Sequence, residues 1–307
     1  MYIQRTAESH LLALLDGRKV VIVLGARQVG KTTLVQLVLA GRKVVSLNFD
    51  IEIDKLRFQA AASLSPADAL QSFRNPEYLV LDEAQRLPET GRVVKGWYDA
   101  KLPVKILLLG SSSLELLNHA AESLTGRNEK LFLPPLLFDE VIRSRDWCPE
   151  TMPLSGISRH FREPVHTCLL QSLAFGGYPE VVTSIDKPAL LRNLSSDYLW
   201  KDILQAGLVK SPDLIKRLLS LLAHQIGAEV SVHELATQLH MARQTVERYL
   251  DLLEQTWVIF RLPSYSTNPR KEIAKSRKIY FWDTGIRNAL LGTFSTDELR
   301  PDIGSLW

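Results

Sequence analysis

The sequence predicts an α/β fold, a parallel sheet with flanking helices, followed by a helical region and a winged helix-turn-helix. Three observations predict it. Apolar, strand-length runs alternate with helical stretches over residues 1–140. A glycine-containing loop joins the first of these runs to an apolar helix. From Val230 onward two amphipathic helical stretches precede two short aromatic strands.

Taken in order, residues 7–15 carry leucines at helical spacing and end at Asp16-Gly17, a turn. VVIVLG, Val20 to Gly25, is continuously apolar and β-branched, the pattern of a central strand buried on both faces. A helix over Thr32 to Ala40 follows, then a second strand at Val44 to Phe49 and a helical stretch reaching about Ser72. Tyr78 to Glu83 and Lys105 to Ser111 are the third and fourth strands. Leu131 to Arg145 holds one more short strand, two prolines and a helix start. Residues 141–225 read as a helical linker or lid, punctuated by Pro149, Pro153, Pro164, Pro179, Pro188 and Pro212. Residues 226–307 read as the winged helix: a helix in SVHELATQL, a turn at His240-Met241, a second helix over Arg243 to Gln255, and strands in WVIFRLPSYS and KIYFWD.

Composition sets bounds. The chain is 46% apolar and 23% charged, with a net charge of +3, too weak a basic excess to argue for nucleic acid on its own. Its two cysteines, Cys148 and Cys168, make no disulfide framework. The longest apolar runs are of strand length, so a cytoplasmic protein that does not enter a membrane is expected.

Chemistry concentrates after the first strand. GARQVGKT, Gly25 to Thr32, fits the phosphate-binding Walker A pattern in full, between a buried strand and a helix. This P-loop predicts a nucleoside-triphosphate site. Amides of Gly25, Ala26, Arg27, Gln28, Val29 and Gly30 would cradle phosphates at a helix N-terminus. Lys31 would reach the β- and γ-phosphates, and the Thr32 hydroxyl would hold Mg2+. Thr33 is read as either a further ligand or a packed or capping residue. LVLDEAQ places Asp82 and Glu83 at a strand end, the Walker B arrangement. Asp82 would hold the metal through water, and Glu83 would be the base that orients the attacking water. Gln85 and Arg86 face either a neighbouring subunit or solvent. Ser111 or Ser112 would position the lytic water if its strand adjoins the Walker B strand; capping of the following helix is the competing role. No N-K-x-D motif reads guanine, so ATP is the expected nucleotide, with Tyr2, Ile3 and Arg5 available to wrap the base.

The ordered motifs GARQVGKTTL, YLVLDEAQRLPE, LLLGSSSLELL and ESLTGRNEKLFLPPLLFDE resemble the AAA+-related bacterial and archaeal ATPases of the AAA_14 type. GGYPEVV (Gly176 to Val182), YLWKDIL (Tyr198 to Leu204) and KIYFWDTGIRNALLG (Lys278 to Gly292) resemble the DUF4143 region of those proteins, here spanning about residues 175–307. The resemblance implies ATP hydrolysis. It also implies an arginine finger at Arg127, acting in cis or from another subunit of a homo-oligomer, against the plainer role of an arginine paired with a carboxylate. It further implies a C-terminal nuclease-like domain, whose active-site pattern is not expected within these 307 residues.

For the C-terminal module, Arg243, Gln244 and Arg248 could contact double-stranded DNA, helped by the five basic residues of Asn268 to Lys278; docking of a protein partner is the alternative. Three functional readings stand together: an ATPase switch or motor working through its C-terminal module, a DNA-binding regulator with slow turnover, and an assembly scaffold with a structural nucleotide site.

Overall fold

A computed structural model describes residues 2–111, 124–149, 151–198, 212–263 and 277–306. The chain divides into two compact units, Gln4–Pro134 and Pro135–Trp307 with Met1–Ile3. No described helix is long and apolar enough to cross a membrane.

The first unit is built on a five-stranded sheet: β1 (Val20–Leu24), β2 (Val44–Asn48), β3 (Tyr78–Asp82), β4 (Lys105–Gly110) and β5 (Asn128–Phe132). Every pairing is parallel, in the order β2-β3-β4-β1-β5. β1 is buried at all five positions, and β3 and β4 are buried at all but their first, as strands covered on both faces must be. The helices are α1 (Ala7–Asp16), α2 (Lys31–Val38), α3 (Glu52–Ala62), α4 (Pro66–Ser72) and α5 (Thr90–Asp99). Pro66 sits in the first turn of α4, whose Ser65 cap accepts from the Asp68 amide. Phe49, Phe58 and Trp97 pack edge to face, with ring centroids 5.1 and 5.4 Å apart, and Phe73 adds to Trp97 at 6.2 Å. The strand order has a chemical consequence. β4 lies between β1 and β3, so the ends of these three strands are neighbours.

The second unit begins with short helices, among them Arg162–Phe175, Pro179–Thr183 and Lys187–Asn193, followed by Pro212–His224. Helices Val232–Leu239 and Arg243–Gln255 come next, linked through His240 in left-handed conformation at φ 53°. A three-stranded antiparallel sheet accompanies them: β6 (Glu229–Val230), β7 (Ile259–Leu262) and β8 (Arg277–Phe281), ordered β6-β8-β7. Most of the basic Asn268 to Lys278 stretch, and most of Tyr198 to Leu204, lie outside the described residues.

Helix Thr284–Leu291 is the pin of this unit. Buried Asn288 donates to the carbonyls of Leu173 and Ala174 at 2.8 and 2.9 Å, and buried Arg287 donates to that of Ala223 at 2.8 Å. Its N-cap is Asp283, which accepts from the Ile286 amide at 2.9 Å and, across the fold, from the Gly177 amide at 2.7 Å. A Cβ on Gly176 would lie 2.1 Å from an Asp283 oxygen, so only glycine admits this approach.

Burial pushes the Asp283 carboxyl up from 3.8 to about 6, against the pull of the amides of Gly177, Ile286 and Gly285. A raised carboxyl binds its proton more tightly in the folded chain, so this group's contribution to stability falls as pH rises from about 4 to 6, by about 3 kcal/mol. Asp302 acts in the opposite sense. Hydrogen bonds from Arg300 and Arg287 hold it down to about 2, so its contribution is lost as pH falls below 4. Denaturant unfolding across pH is therefore expected to show Asp283→Asn with a flatter slope than wild type between pH 4 and 6; parallel slopes would refute the assignment.

Candidate functional site

The site is assembled where β1, β3 and β4 end. Gly25 leaves β1 at φ 157° and Gly30 enters α2 at φ 94°, with Gln28 between them at φ 60°. A Cβ on Gly25 would meet the Leu133 carbonyl oxygen at 2.2 Å, so the loop must begin with glycine for β5's continuation to pass behind it. Lys31, in the first turn of α2, is buried; its Nζ donates to the Gly25 and Ala26 carbonyls at 2.9 and 2.8 Å. The ammonium is thereby held over the mouth of its own loop. Thr33, one residue past Thr32, is exposed on α2.

The Thr32 hydroxyl donates to Asp82 Oδ2 at 2.7 Å, linking the head of α2 to the end of β3. Asp82 Oδ1 accepts from the Glu83 amide at 2.9 Å, which fixes the carboxylate plane. A hydroxyl and a carboxylate, both hard oxygen donors, fit a small divalent cation at this point. Glu83 adopts φ 52°, ψ 40°, a left-handed conformation rarely taken outside glycine. Buried Ser111, just past β4, donates from Oγ to Glu83 Oε2 at 3.4 Å. Because β4 adjoins β3, Ser111 stands beside the end of the strand that carries Asp82. Ser112 lies outside the described residues.

Two participants were not recognised in the sequence. Half-buried Gln85 turns toward the strand ends, and its Nε2 donates to Glu83 Oε2 at 2.5 Å and to Ser111 Oγ at 3.3 Å. Arg5 does not project as a wrap for a base: its buried guanidinium donates to the Val29 carbonyl at 2.8 Å and the Pro134 carbonyl at 2.6 Å, bracing the P-loop from behind. The Val29 contact is the kind a sequence cannot announce, because it joins an arginine to a carbonyl with no side-chain signal.

Arg127 is not brought to the phosphate loop of its own chain. Its carbonyl accepts from the Val20 amide, at the first residue of β1, whereas the P-loop follows the last. The two ends of that strand are about 13 Å apart. Its Nε instead donates to exposed Asp99 at 2.7 Å. That ion pair pulls Asp99 below its ordinary range. Of the placements left open by the resemblance, this geometry speaks against the finger in cis and fits the carboxylate-paired arginine.

Residues 17–142 match the AAA_14 family, described as an AAA domain. The matched stretch takes in the P-loop and the Asp82–Glu83 strand end. Beyond the AAA_14 domain, residues 167–297 match a domain of unknown function, DUF8612, in the region where the resemblance suggested DUF4143. Uncharacterized proteins of Mycobacterium tuberculosis and Mycobacterium bovis are each 31% identical over 312 residues, covering 99% of this chain and 64% of their own length. The chain thus spans under two thirds of these relatives. An uncharacterized protein of Methanocaldococcus jannaschii is 26% identical, covering 81% of the chain and 57% of itself. Among solved structures, a Walker-type ATPase of Pyrococcus abyssi shares the fold at a TM-score of 0.64 and 17% identity, covering 94% of this chain and 96% of its own.

Proposed function

We propose that the chain is a Mg2+-dependent ATP hydrolase in which turnover drives its C-terminal unit. The observation that carries the reading is the meeting of Glu83 and Ser111 beside the Thr32–Asp82 bond, at one end of the sheet and next to the P-loop. Lys31 and the loop amides hold the β- and γ-phosphates. Thr32 and Asp82 would hold the metal, which supplies charge neutralisation on the phosphate oxygens. Glu83 takes a proton from water as the water oxygen bonds to the γ-phosphorus. The bond from that phosphorus to the bridging oxygen breaks, and ADP departs with the electron pair. Ser111 holds the Glu83 carboxylate for that step.

Arg127 is the finger in this reading only if a second copy presents it, because of its place at the far end of β1. Arg127→Ala is then expected to lower turnover about 10³-fold or more at concentrations where the protein self-associates. Turnover is expected to rise with enzyme concentration faster than linearly in wild type and linearly in the variant. Steady-state rates measured across a dilution series check both; equal rates for the two proteins would remove the finger.

We read Val232–Leu239, Arg243–Gln255, β7 and β8 as a winged helix-turn-helix on their order and pairing. The exposed face of the second helix carries Arg243, Arg248, Glu247 and Asp251, with Arg243 paired to Glu247 at 3.4 Å and Asp251 paired to Arg261 at 2.6 Å. Mixed, internally paired charge favours a protein partner over a phosphate backbone.

A further inference from the structure

We propose that Gln85 is a positioning residue of the ATPase reaction, holding Glu83 and Ser111 in one hydrogen-bonded set and offering its amide oxygen to the attacking water. The inference rests on the reading of Glu83 as the base.

Local backbone geometry creates the arrangement. The left-handed Glu83 reverses the chain into a 3-10 turn, Ala84–Arg86, with Ala84 buried. That reversal is what turns Gln85 back over the end of β3. Without it, a residue three places past a strand end would leave the sheet. Its Nε2 then reaches both Glu83 Oε2, at 2.5 Å, and Ser111 Oγ, at 3.3 Å. The same carboxylate oxygen accepts from Ser111. Three side chains from two adjacent strand ends therefore close a triangle around one oxygen of the base.

The orientation of the amide follows from its partners. Reversed, the amide would set its oxygen against the carboxylate, acceptor against acceptor. With Nε2 spent on Glu83 and Ser111, Oε1 is buried and has no protein donor among the described residues. A buried acceptor is rarely left unmatched, and the small donor this reaction brings to Glu83 is water. Gln85 thus does two things a carboxylate alone cannot. It fixes which Glu83 oxygen stays free for proton abstraction, and it adds a second acceptor to orient the same water.

The test uses the whole chain with Mg-ATP. Gln85→Met keeps the length and apolar stem but removes the amide. Gln85→Glu exchanges the donor for a carboxylate facing Glu83. Both variants are expected to lose kcat by about 10- to 100-fold, with KM and nucleotide Kd within about twofold of wild type. Ser111→Ala combined with Gln85→Met is expected to lose less than the product of the single losses, since the two act through one carboxylate. Unchanged kcat in Gln85→Met overturns the proposal, as does a kcat loss matched by an equal loss of nucleotide affinity, which marks a structural role. Glu83→Gln is assayed alongside. If that variant turns over like wild type, the base is misassigned; if it is inactive while Gln85→Met is silent, only the Gln85 role fails.

Discussion

Glu83→Gln is expected to lower kcat by about 10²- to 10⁴-fold while ATP still binds. The change is nearly isosteric and keeps an acceptor for Ser111 Oγ and Gln85 Nε2, which meet Glu83 Oε2 at 3.4 and 2.5 Å. The hydrogen-bonded set therefore survives, and what disappears is the capacity to take a proton from water. Neither the P-loop amides nor the Thr32–Asp82 bond depends on the Glu83 carboxylate. Loss of kcat with unchanged nucleotide Kd is thus the signature of a base, separable from the collapse of a site. Steady-state kinetics together with a fluorescent-nucleotide titration measure both quantities.

Lys31→Ala is expected to remove binding as well as turnover. Lys31 is 6% exposed, and its ammonium is placed by two loop carbonyls, Gly25 O and Ala26 O, at 2.9 and 2.8 Å. A charge already desolvated and oriented needs little reorganisation to meet a phosphate. Truncating one partner of such a buried charge pair costs about 2–5 kcal/mol, which is roughly 30- to 5,000-fold in affinity. Nucleotide titration and melting with and without Mg-ATP check it: wild type is expected to gain thermal stability from the ligand and the variant to gain little.

Much of the first unit was legible because its signals are local. Val20 to Gly25 is apolar at every position for the reason it is central, burial on both faces. The glycines of Gly25 to Thr32 announce a conformation that other residues resist. Thr32 and Asp82 could be paired in advance because Walker A and Walker B roles are tied to strand ends.

What was not legible depends on long-range placement or on strain. The insertion of β4 between β1 and β3 is a tertiary fact, and without it the role of Ser111 was conditional. Gln85 was read as surface because nothing in DEAQ signals a left-handed glutamate; the reversal at Glu83 becomes visible only in the folded chain. Arg127 follows a glycine turn and its carbonyl registers with Val20, so its distance from the P-loop is set by strand pairing and not by sequence spacing. The second bond of Asp283, to Gly177, crosses 106 residues and left no trace in composition or periodicity.

The account's central claim is that this site cleaves the nucleotide it holds, using Glu83. It is tested most directly by incubating wild type and Glu83→Gln with Mg-ATP, separating protein from free nucleotide, and identifying what stays bound. ADP on wild type and ATP on Glu83→Gln is the predicted result. Intact ATP on both proteins, or ADP on both at equal rates, would contradict it.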